Sequence, residues 1–139
     1  MNPPVRSLVD KEYLWSAIND GVIDTIASDH APHMLSEKET SLCKCPSGVP
    51  GIETTLPLLL TAHTQGKISL SKIIDLAYTN PKKIFNVADN DDLVFVNISK
   101  FKILQDNDLS TKVKWSPYVG MKLTGFPDYI FSNNRLYYF

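Results

Sequence analysis

The sequence predicts an α/β unit over residues 1–87 and a small all-β unit over residues 88–139. A continuous apolar run at 22–28 lies between segments with helical periodicity, which is typical of a strand covered on both faces. After residue 88 the apolar residues begin to alternate with polar ones, which is typical of half-exposed strands. We therefore expect helices packed around a buried strand, followed by a strand-rich segment.

The composition excludes several classes of protein. The chain has 139 residues, of which 43% are hydrophobic and 21% charged, as in globular proteins. Its 14 basic and 15 acidic residues give a formal net charge of -1, so we expect no nucleic-acid partner and no membrane surface. The longest apolar run, at 56–62, is far shorter than the roughly 20 residues of a spanning helix, and the N-terminus lacks a signal-peptide pattern. We expect a cytoplasmic protein in which Cys43 and Cys45 are reduced thiols.

The first predicted helix directly precedes the predicted strand. Asp10 is the expected N-cap, the apolar positions of 13–18 form one helical face, and Gly21 is the expected end. The strand at 22–28 follows at once, and its run is apolar except for one aspartate. This order puts the residues after the strand at the end of a buried element.

Two more helices are predicted in the first unit. A loop of about 18 residues at 34–51 separates the strand from a helix at about 53–65. Ser69 is the expected cap of the last helix, and Asn80 is its expected end because Pro81 follows, with one more short turn expected at 81–85. Loops of this length in compact domains are usually functional or mobile.

The second unit is predicted to contain short strands and one hairpin. The alternating segments are 93–99, 101–104, 121–126, 129–131 and 136–138. The last two segments are predicted to pair, because Asn133 and Asn134 lie between them and asparagine favours tight hairpin turns.

Chemically useful side chains are concentrated in the five residues that follow the predicted strand. Asp29, His30 and His33 bring one acid and two imidazoles to the strand end, an arrangement that suits metal-assisted hydrolysis. The carboxylate can contact a divalent metal, take a proton from water and pass it to a leaving nitrogen. Pro32 stiffens the turn, so His33 can be aimed at an anionic group, and Gly48 can offer backbone N–H groups to the same ligand.

The same residues also fit interpretations without function. An Asp-His pair such as Asp29-His30 is common in exposed turns, and His63, on a predicted helix, suits a structural role. Asn2 and Arg6 alone resemble ordinary surface residues. The C-x-C pair has no second pair of ligands, so it is a weak candidate for a zinc site.

Several segments, in the same order, resemble the dihydroorotase family of cyclic amidohydrolases. Met1–Ser7 resembles N-P-P-L-R-S, Ile26–His33 resembles A-T-D-H-A-P-H, and Pro46–Thr54 resembles P-x-G-x-x-G-x-E-T. Shorter matches follow at Thr79–Pro81, Asp92–Val94 and Ser116–Gly120. The first two segments favour dihydroorotase over the related allantoinases and dihydropyrimidinases.

The resemblance implies a fold, a reaction and residue roles. The fold would be a C-terminal fragment, about the last two β/α units, of a (β/α)8 TIM barrel with part of a small flanking β-domain. The reaction would be the reversible, zinc-dependent hydrolysis of (S)-dihydroorotate to N-carbamoyl-L-aspartate in pyrimidine biosynthesis. Asp29 would contact the metal and act as general base and then general acid. His33 would bind the substrate carboxylate, Asn2 would contact the substrate ring, and Pro46 and Gly48 would meet the substrate through the backbone.

The sequence also departs from what a complete enzyme of this family needs. A (β/α)8 barrel takes roughly 250 residues, and the family's zinc site uses a His-x-His pair, a carboxylated lysine and two further histidines. This sequence has three histidines and no His-x-His pair. We therefore expect the chain alone to hold no zinc and to be inactive, with the missing N-terminal barrel portion supplied as a separate chain. A degenerate remnant, a non-catalytic dihydroorotase-like binding or structural subunit, and a binding module with no enzyme history remain as alternatives.

Overall fold

Helices form the first part of the structure. A computed structural model describes residues 3–41 and 43–139. The helices are α1 (Leu8–Asn19), α2 (Leu35–Lys38), α3 (Thr55–Thr64), α4 (Leu70–Ile74) and α5 (Asn80–Phe85), with a π-helical turn over Asp75–Thr79 between the last two. The long loop predicted at 34–51 therefore contains one short helix, and the helix predicted at 53–65 is confirmed with slightly narrower bounds.

The N-terminus of α1 is capped by Ser7, not by Asp10 as predicted. The Ser7 hydroxyl oxygen accepts the Asp10 N–H at 3.1 Å, and the Asp10 carboxylate accepts the Ser7 N–H at 3.0 Å. This reciprocal pair satisfies two N–H groups that lie at a helix start, so Ser7 and Asp10 act as a unit. Gly21, with a φ of 77°, follows the helix end as predicted.

The strand predicted at 22–28 does not form. Residues 22–29 belong to no strand, Val22 is 70% exposed, and the Ile26 N–H donates to the carbonyl of Leu76 at 3.1 Å. A strand is held by ladder hydrogen bonds to a neighbouring strand, and the described residues place none beside this segment. Its apolar sequence fits a central strand, but the partners that would make it one are not among the described residues.

The predicted end of the last helix at Asn80 is also wrong. The helical segment continues from Leu70 to Phe85 because a π-turn precedes Pro81. In this turn the Asn80 N–H donates to the carbonyl of Asp75, one residue farther back than in an α-helix. Proline lacks an N–H and its ring crowds the preceding turn, and the π-turn accommodates it by widening the helix there.

The second part of the structure contains two small antiparallel sheets. The strands are β1 (Leu93–Val96), β2 (Phe101–Ile103), β3 (Lys122–Thr124), β4 (Pro127–Ser132) and β5 (Arg135–Tyr138). One sheet has the order β1-β4-β5 and the other pairs β2 with β3. The predicted hairpin is confirmed: Tyr129 pairs with Tyr138, and the turn residues Asn133 and Asn134 have φ values of 50° and 57°.

Helix α3 packs against both parts of the structure. Its Leu59 and Leu60 belong to a buried cluster with residues of the following helices, whereas Leu58 packs on a second cluster in the strand-rich part. The second cluster contains Leu104, Leu109 and Leu123. Because α3 contributes to both clusters, the two parts of the chain share this helix. The predicted boundary between two domains at residues 87 and 88 stays a prediction. No helix in the described ranges is long and apolar enough to cross a membrane.

Candidate active site

Asp29 occupies a strained position in the turn that follows the apolar run. Its φ is 42°, in the left-handed region that glycine favours and that aspartate tolerates better than most residues. The residue is exposed to solvent. Backbone strain of this kind is common at functional sites, so the turn holds the carboxylate outward at a conformational cost.

His30 joins this turn to the loop that precedes α3. Its backbone forms a parallel bridge with Val49, and the next N–H, of Ala31, donates to the Val49 carbonyl at 3.2 Å. The ring atom Nδ1 of His30 accepts the N–H of Gly51 at 3.1 Å and the N–H of Ile52 at 3.2 Å. The turn and the 46–52 loop are therefore held together by backbone and side-chain contacts.

Two glycines allow the loop to lie directly on the turn. A Cβ atom at Gly48 would lie 2.5 Å from the Cβ of Ala31, and the φ of Gly48 is 104°. A Cβ at Gly51 would lie 2.7 Å from the carbonyl oxygen of Ser28. Both positions exclude larger residues because the backbones approach so closely. Gly48, predicted from the sequence as a substrate contact, therefore lies against the turn that carries Asp29.

Lys38 binds the carbonyl groups of Pro46 and Gly48, the two residues predicted to contact the substrate through their backbone. Its Nζ atom donates to the Pro46 oxygen at 2.6 Å and to the Gly48 oxygen at 3.0 Å. Because Lys38 is the last residue of α2, these hydrogen bonds anchor the loop to this short helix. The ammonium group supplies two donors to a segment that has no regular backbone pairing.

His33 is fixed through its backbone rather than through its imidazole. The indole N–H of Trp115 donates to the His33 carbonyl at 2.8 Å. This hydrogen bond links the turn to the strand-rich part of the chain.

Glu53 makes a second link between the two parts of the chain. Its carboxylate accepts the N–H of Ser110 at 2.8 Å and that of Thr111 at 2.7 Å. The loop at 109–116 thus holds both the His33 turn and the start of α3.

Asp29, the predicted metal ligand, does not belong to a cluster of metal-binding side chains among the described residues. Among the residues that the structure describes, no group of three or more histidine, cysteine, aspartate or glutamate side chains could hold a metal ion. A catalytic zinc usually has three protein ligands and a structural zinc four. The described residues therefore do not fit a zinc site on their own. Asn2, the remaining predicted site residue, lies outside the described residues.

Sequence reasoning missed the contacts by which four residues position the site. These residues are His30, which the sequence marks only for its imidazole, and Lys38, Glu53 and Trp115. Each lies inside or beside a segment that resembles the dihydroorotase family, but the resemblance attaches roles only to their neighbours. Their hydrogen-bond partners are 8 to 82 positions away, so spacing along the chain carried no signal for the contacts.

Two cavities adjoin the start of α3. A small one of about 10 Å³ lies beside His30 and is lined by residues 50–54 with Leu109, Thr111, Trp115 and Ser116. A larger one of about 800 Å³ lies between residues 52–57 and the strand-rich part. Only the small one includes a residue of the Asp29–His33 turn in its lining. The predicted site itself is an open turn, not an enclosed pocket.

Comparison with known proteins finds extensive similarity to dihydroorotases. A dihydroorotase of Halobacterium salinarum is 40% identical over 128 residues, which cover 86% of this chain and 30% of the relative. A dihydroorotase of Methanosarcina acetivorans is 37% identical, and the match covers 98% of this chain and 31% of the relative. The chain thus spans about a third of the length of the curated relatives that it matches. No protein-family model matches the sequence.

Solved structures of TIM-barrel amidohydrolases share the fold of the chain. The L-hydantoinase (dihydropyrimidinase) from Arthrobacter aurescens matches with a TM-score of 0.89 and 29% identity, over 96% of this chain and 33% of that protein. The inactive dihydroorotase-like domain of the Chaetomium thermophilum CAD-like multifunctional protein matches with a TM-score of 0.72 over 94% of this chain and 36% of that one. At 24% identity, the second match bears on the fold alone.

Proposed function

Since this chain is a homologue of the dihydroorotases, within the amidohydrolase superfamily, we propose that it supplies the C-terminal part of a dihydroorotase barrel. In this proposal the complete assembly catalyses the reversible hydrolysis of the cyclic amide of (S)-dihydroorotate to N-carbamoyl-L-aspartate. The step belongs to pyrimidine biosynthesis in the cytoplasm. These 139 residues alone are inactive and depend on the N-terminal barrel portion for catalysis.

One observation supports this function most strongly. The Asp29 turn and the 46–52 loop, the two segments that the family resemblance assigns to catalysis and substrate binding, are packed directly against each other. Residues 30 and 49 are paired, and Gly48 lies against Ala31. Strained and close-packed positions are common at functional sites, and Asp29 and Gly48 bring both features to one site.

The proposed chemistry assigns separate tasks to the acid and to the anion-binding groups. Asp29, as the exposed carboxylate, takes a proton from the water that attacks the amide carbon of the ring. The bond between this carbon and the ring nitrogen then breaks, and Asp29 returns the proton to the leaving nitrogen. His33 and the backbone near Gly48 bind the carboxylate of the substrate, and Asn2 contacts its ring.

The zinc of a complete enzyme requires ligands beyond those of this chain. The described residues present Asp29 at the turn and no cluster of three metal-binding side chains. We infer that Asp29 contributes one ligand, and that the N-terminal barrel portion supplies the remaining ones. This division makes zinc binding a property of the assembly.

Exposed apolar side chains support the need for the rest of the barrel. Leu8, Val9 and Tyr13 on α1 are 77%, 78% and 71% exposed, and Phe85 at the end of α5 is 72% exposed. Large exposed apolar patches mark surfaces that another protein segment covers. On the predicted apolar face of α1, Ala17 is buried and Ile18 packs on the core, whereas Tyr13 and Leu14 are 71% and 41% exposed and available to the missing barrel portion.

A non-catalytic dihydroorotase-like subunit is the second candidate function. The observation in its favour is the lack of a metal-ligand cluster in the described residues. In that case the turn would be a remnant, and the exposed apolar faces would bind a partner enzyme without completing a barrel. The two candidates make opposite predictions for a reconstituted complex.

Co-expression tests the proposal. The chain is produced together with an N-terminal polypeptide that carries the His-x-His barrel portion, either from a neighbouring reading frame or from the Halobacterium salinarum relative. We expect a co-purifying complex that contains zinc and interconverts dihydroorotate and carbamoyl aspartate. The Asp29→Asn complex is the matched control and should assemble without turnover. A stable, zinc-loaded complex with no turnover for the parent chain would exclude catalysis and favour the non-catalytic subunit.

A further inference from the structure

We propose that His30 is a positioning residue, whose ring fixes the 46–52 loop against the Asp29 turn in a single tautomer. The inference rests on the proposed function, because it concerns how the same site is assembled. It assigns to His30 no contact with substrate. The ring acts through the backbone of the loop that carries Gly48.

The hydrogen bonds to the ring define its protonation pattern. Nδ1 of His30 lies 3.1 Å from the Gly51 nitrogen and 3.2 Å from the Ile52 nitrogen, and both N–H groups donate to it. A ring nitrogen that accepts hydrogen bonds carries no proton, so a neutral His30 holds its proton on Nε2. The other tautomer would place three N–H groups against one another.

The ring connects the turn to the start of α3. Gly51, whose N–H donates to His30, offers its own carbonyl to the N–H groups of Thr54 and Thr55 at 3.1 and 3.0 Å. The same glycine lies so close to Ser28 that a Cβ atom would be 2.7 Å from the Ser28 oxygen. His30 thus sets the point at which the loop leaves the turn and enters the helix.

Loss of the ring would loosen this junction without removing every link. The backbone bridge between His30 and Val49 and the hydrogen bond from the Ala31 N–H to the Val49 carbonyl do not involve the ring. Lys38 also holds the loop through the carbonyl groups of Pro46 and Gly48. We therefore expect substitutions of His30 to release the end of the loop near Gly51 locally, with the fold retained.

His63 provides an internal control with the opposite hydrogen-bond pattern. Its Nδ1 lies 2.9 Å from the carbonyl oxygen of Ile68. A carbonyl oxygen can only accept, so Nδ1 of His63 carries the proton. One molecule therefore contains two half-buried histidines that should be observed as opposite tautomers.

Nitrogen-15 NMR of the histidine-labelled chain tests the tautomer directly. At about pH 8.5, where a free imidazole is neutral, His30 should give the pattern of an Nε2–H ring and His63 that of an Nδ1–H ring. Assignment uses the variants His30→Asn and His63→Asn. An Nδ1–H pattern or a mixture of tautomers at His30 would overturn the proposal, whatever the activity of any complex.

Hydrogen exchange of the loop amides tests the positioning role. His30→Asn keeps an acceptor oxygen near the place of Nδ1, whereas His30→Leu removes it. We expect the Gly51 and Ile52 amides to exchange roughly fivefold faster or more in His30→Leu, the range of one lost hydrogen bond, and within about twofold of the parent in His30→Asn. Equal exchange in all three chains, with a retained fold, would refute the role.

Kinetics of the reconstituted complex test whether the hydrogen bonds to the His30 ring affect substrate binding. His30→Leu should raise KM more than it lowers kcat, because a displaced loop weakens substrate binding while Asp29 remains in place. His30→Asn should restore KM. If the parent complex lacks turnover, the proposed function fails, and the NMR and exchange measurements still decide the role of His30. If turnover is present and KM is unchanged in His30→Leu, the positioning role is wrong.

Discussion

The indole N–H of Trp115 donates to the carbonyl oxygen of His33 at 2.8 Å, across 82 positions of the sequence. This hydrogen bond fixes the end of the Asp29–His33 turn to a loop of the strand-rich part. The turn at the candidate site is therefore assembled from residues on both sides of the predicted boundary at 87 and 88. Two side chains make contacts of this kind, Glu53 and Trp115, whereas the His30 ring holds the turn to a loop of the same part.

Replacing Trp115 with phenylalanine should loosen the His33 turn. The ring of phenylalanine retains most of the apolar contact but cannot donate, so the free energy of unfolding should fall by about 1 kcal/mol. Chemical denaturation measures this change, and proteolysis near residue 33 should become faster. Trp15→Phe is the matched control, because Trp15 packs on the first core cluster and lies outside the turn. Equal proteolysis near residue 33 in both variants would contradict the assigned contact.

Substitutions of Asp29 should separate the effect of backbone strain on stability from the effect of the carboxylate on turnover. The φ of 42° costs roughly 1 kcal/mol for a residue with a Cβ atom and almost nothing for glycine. Asp29→Gly should therefore be about 1 kcal/mol more stable than Asp29→Ala, while Asp29→Asn should resemble the parent chain in stability. All three should reduce turnover of a reconstituted complex by 100-fold or more, about the contribution of a general base. Equal stability of the glycine and alanine variants would argue against the left-handed conformation.

Gly48→Ala should be more damaging than an alanine at a comparable glycine. Its Cβ would lie 2.5 Å from that of Ala31, whereas a Cβ at Gly120 would meet nothing within 4 Å. The two glycines have φ values of 104° and 86°, so both substitutions carry the conformational cost of about 1 kcal/mol, and only Gly48→Ala adds a clash of roughly 1–3 kcal/mol. Thermal unfolding of both variants measures the difference.

A second substitution, at Ala31, should restore the stability that Gly48→Ala loses to the clash. Ala31→Gly removes the Cβ atom that the new side chain would meet, so the double variant Ala31→Gly/Gly48→Ala should recover most of the clash energy. If the double variant is no more stable than Gly48→Ala, the close approach of residues 31 and 48 is not the cause of the damage.

The isolated chain should bind no stoichiometric zinc. In the part of the chain that the structure describes, candidate ligands do not form a group of three or more, and zinc sites in proteins usually use at least three. Elemental analysis after dialysis against micromolar zinc provides the measurement, with a complex containing the His-x-His portion as the positive control. One zinc retained per isolated chain would contradict the prediction, and Asp29→Ala would then identify whether the turn holds it.

The local elements of the strand-rich part could be predicted from sequence. The hairpin ending at Tyr138 forms because its two segments are adjacent in sequence and Asn133 and Asn134 favour the turn between them. The cap at Ser69 is also local, since its hydroxyl accepts an N–H three residues away. By contrast, the prediction of Asp10 as the cap is wrong because the helix begins earlier, directly after Ser7, and the Asp10 carboxylate accepts the Ser7 N–H as the third residue of the helix.

The sequence by itself determined the similarity to the dihydroorotases, the order of the motifs and the residues of the Asp29–His33 turn, because these depend on residue types at fixed local spacing. Only the tertiary structure decided that residues 22–29 form no strand, since strand formation requires a neighbour in space. It also decided which groups hold the turn: the His30 ring, the Lys38 ammonium group and the Trp115 indole. Their partners are distant in sequence and become neighbours only when the loops fold onto one another.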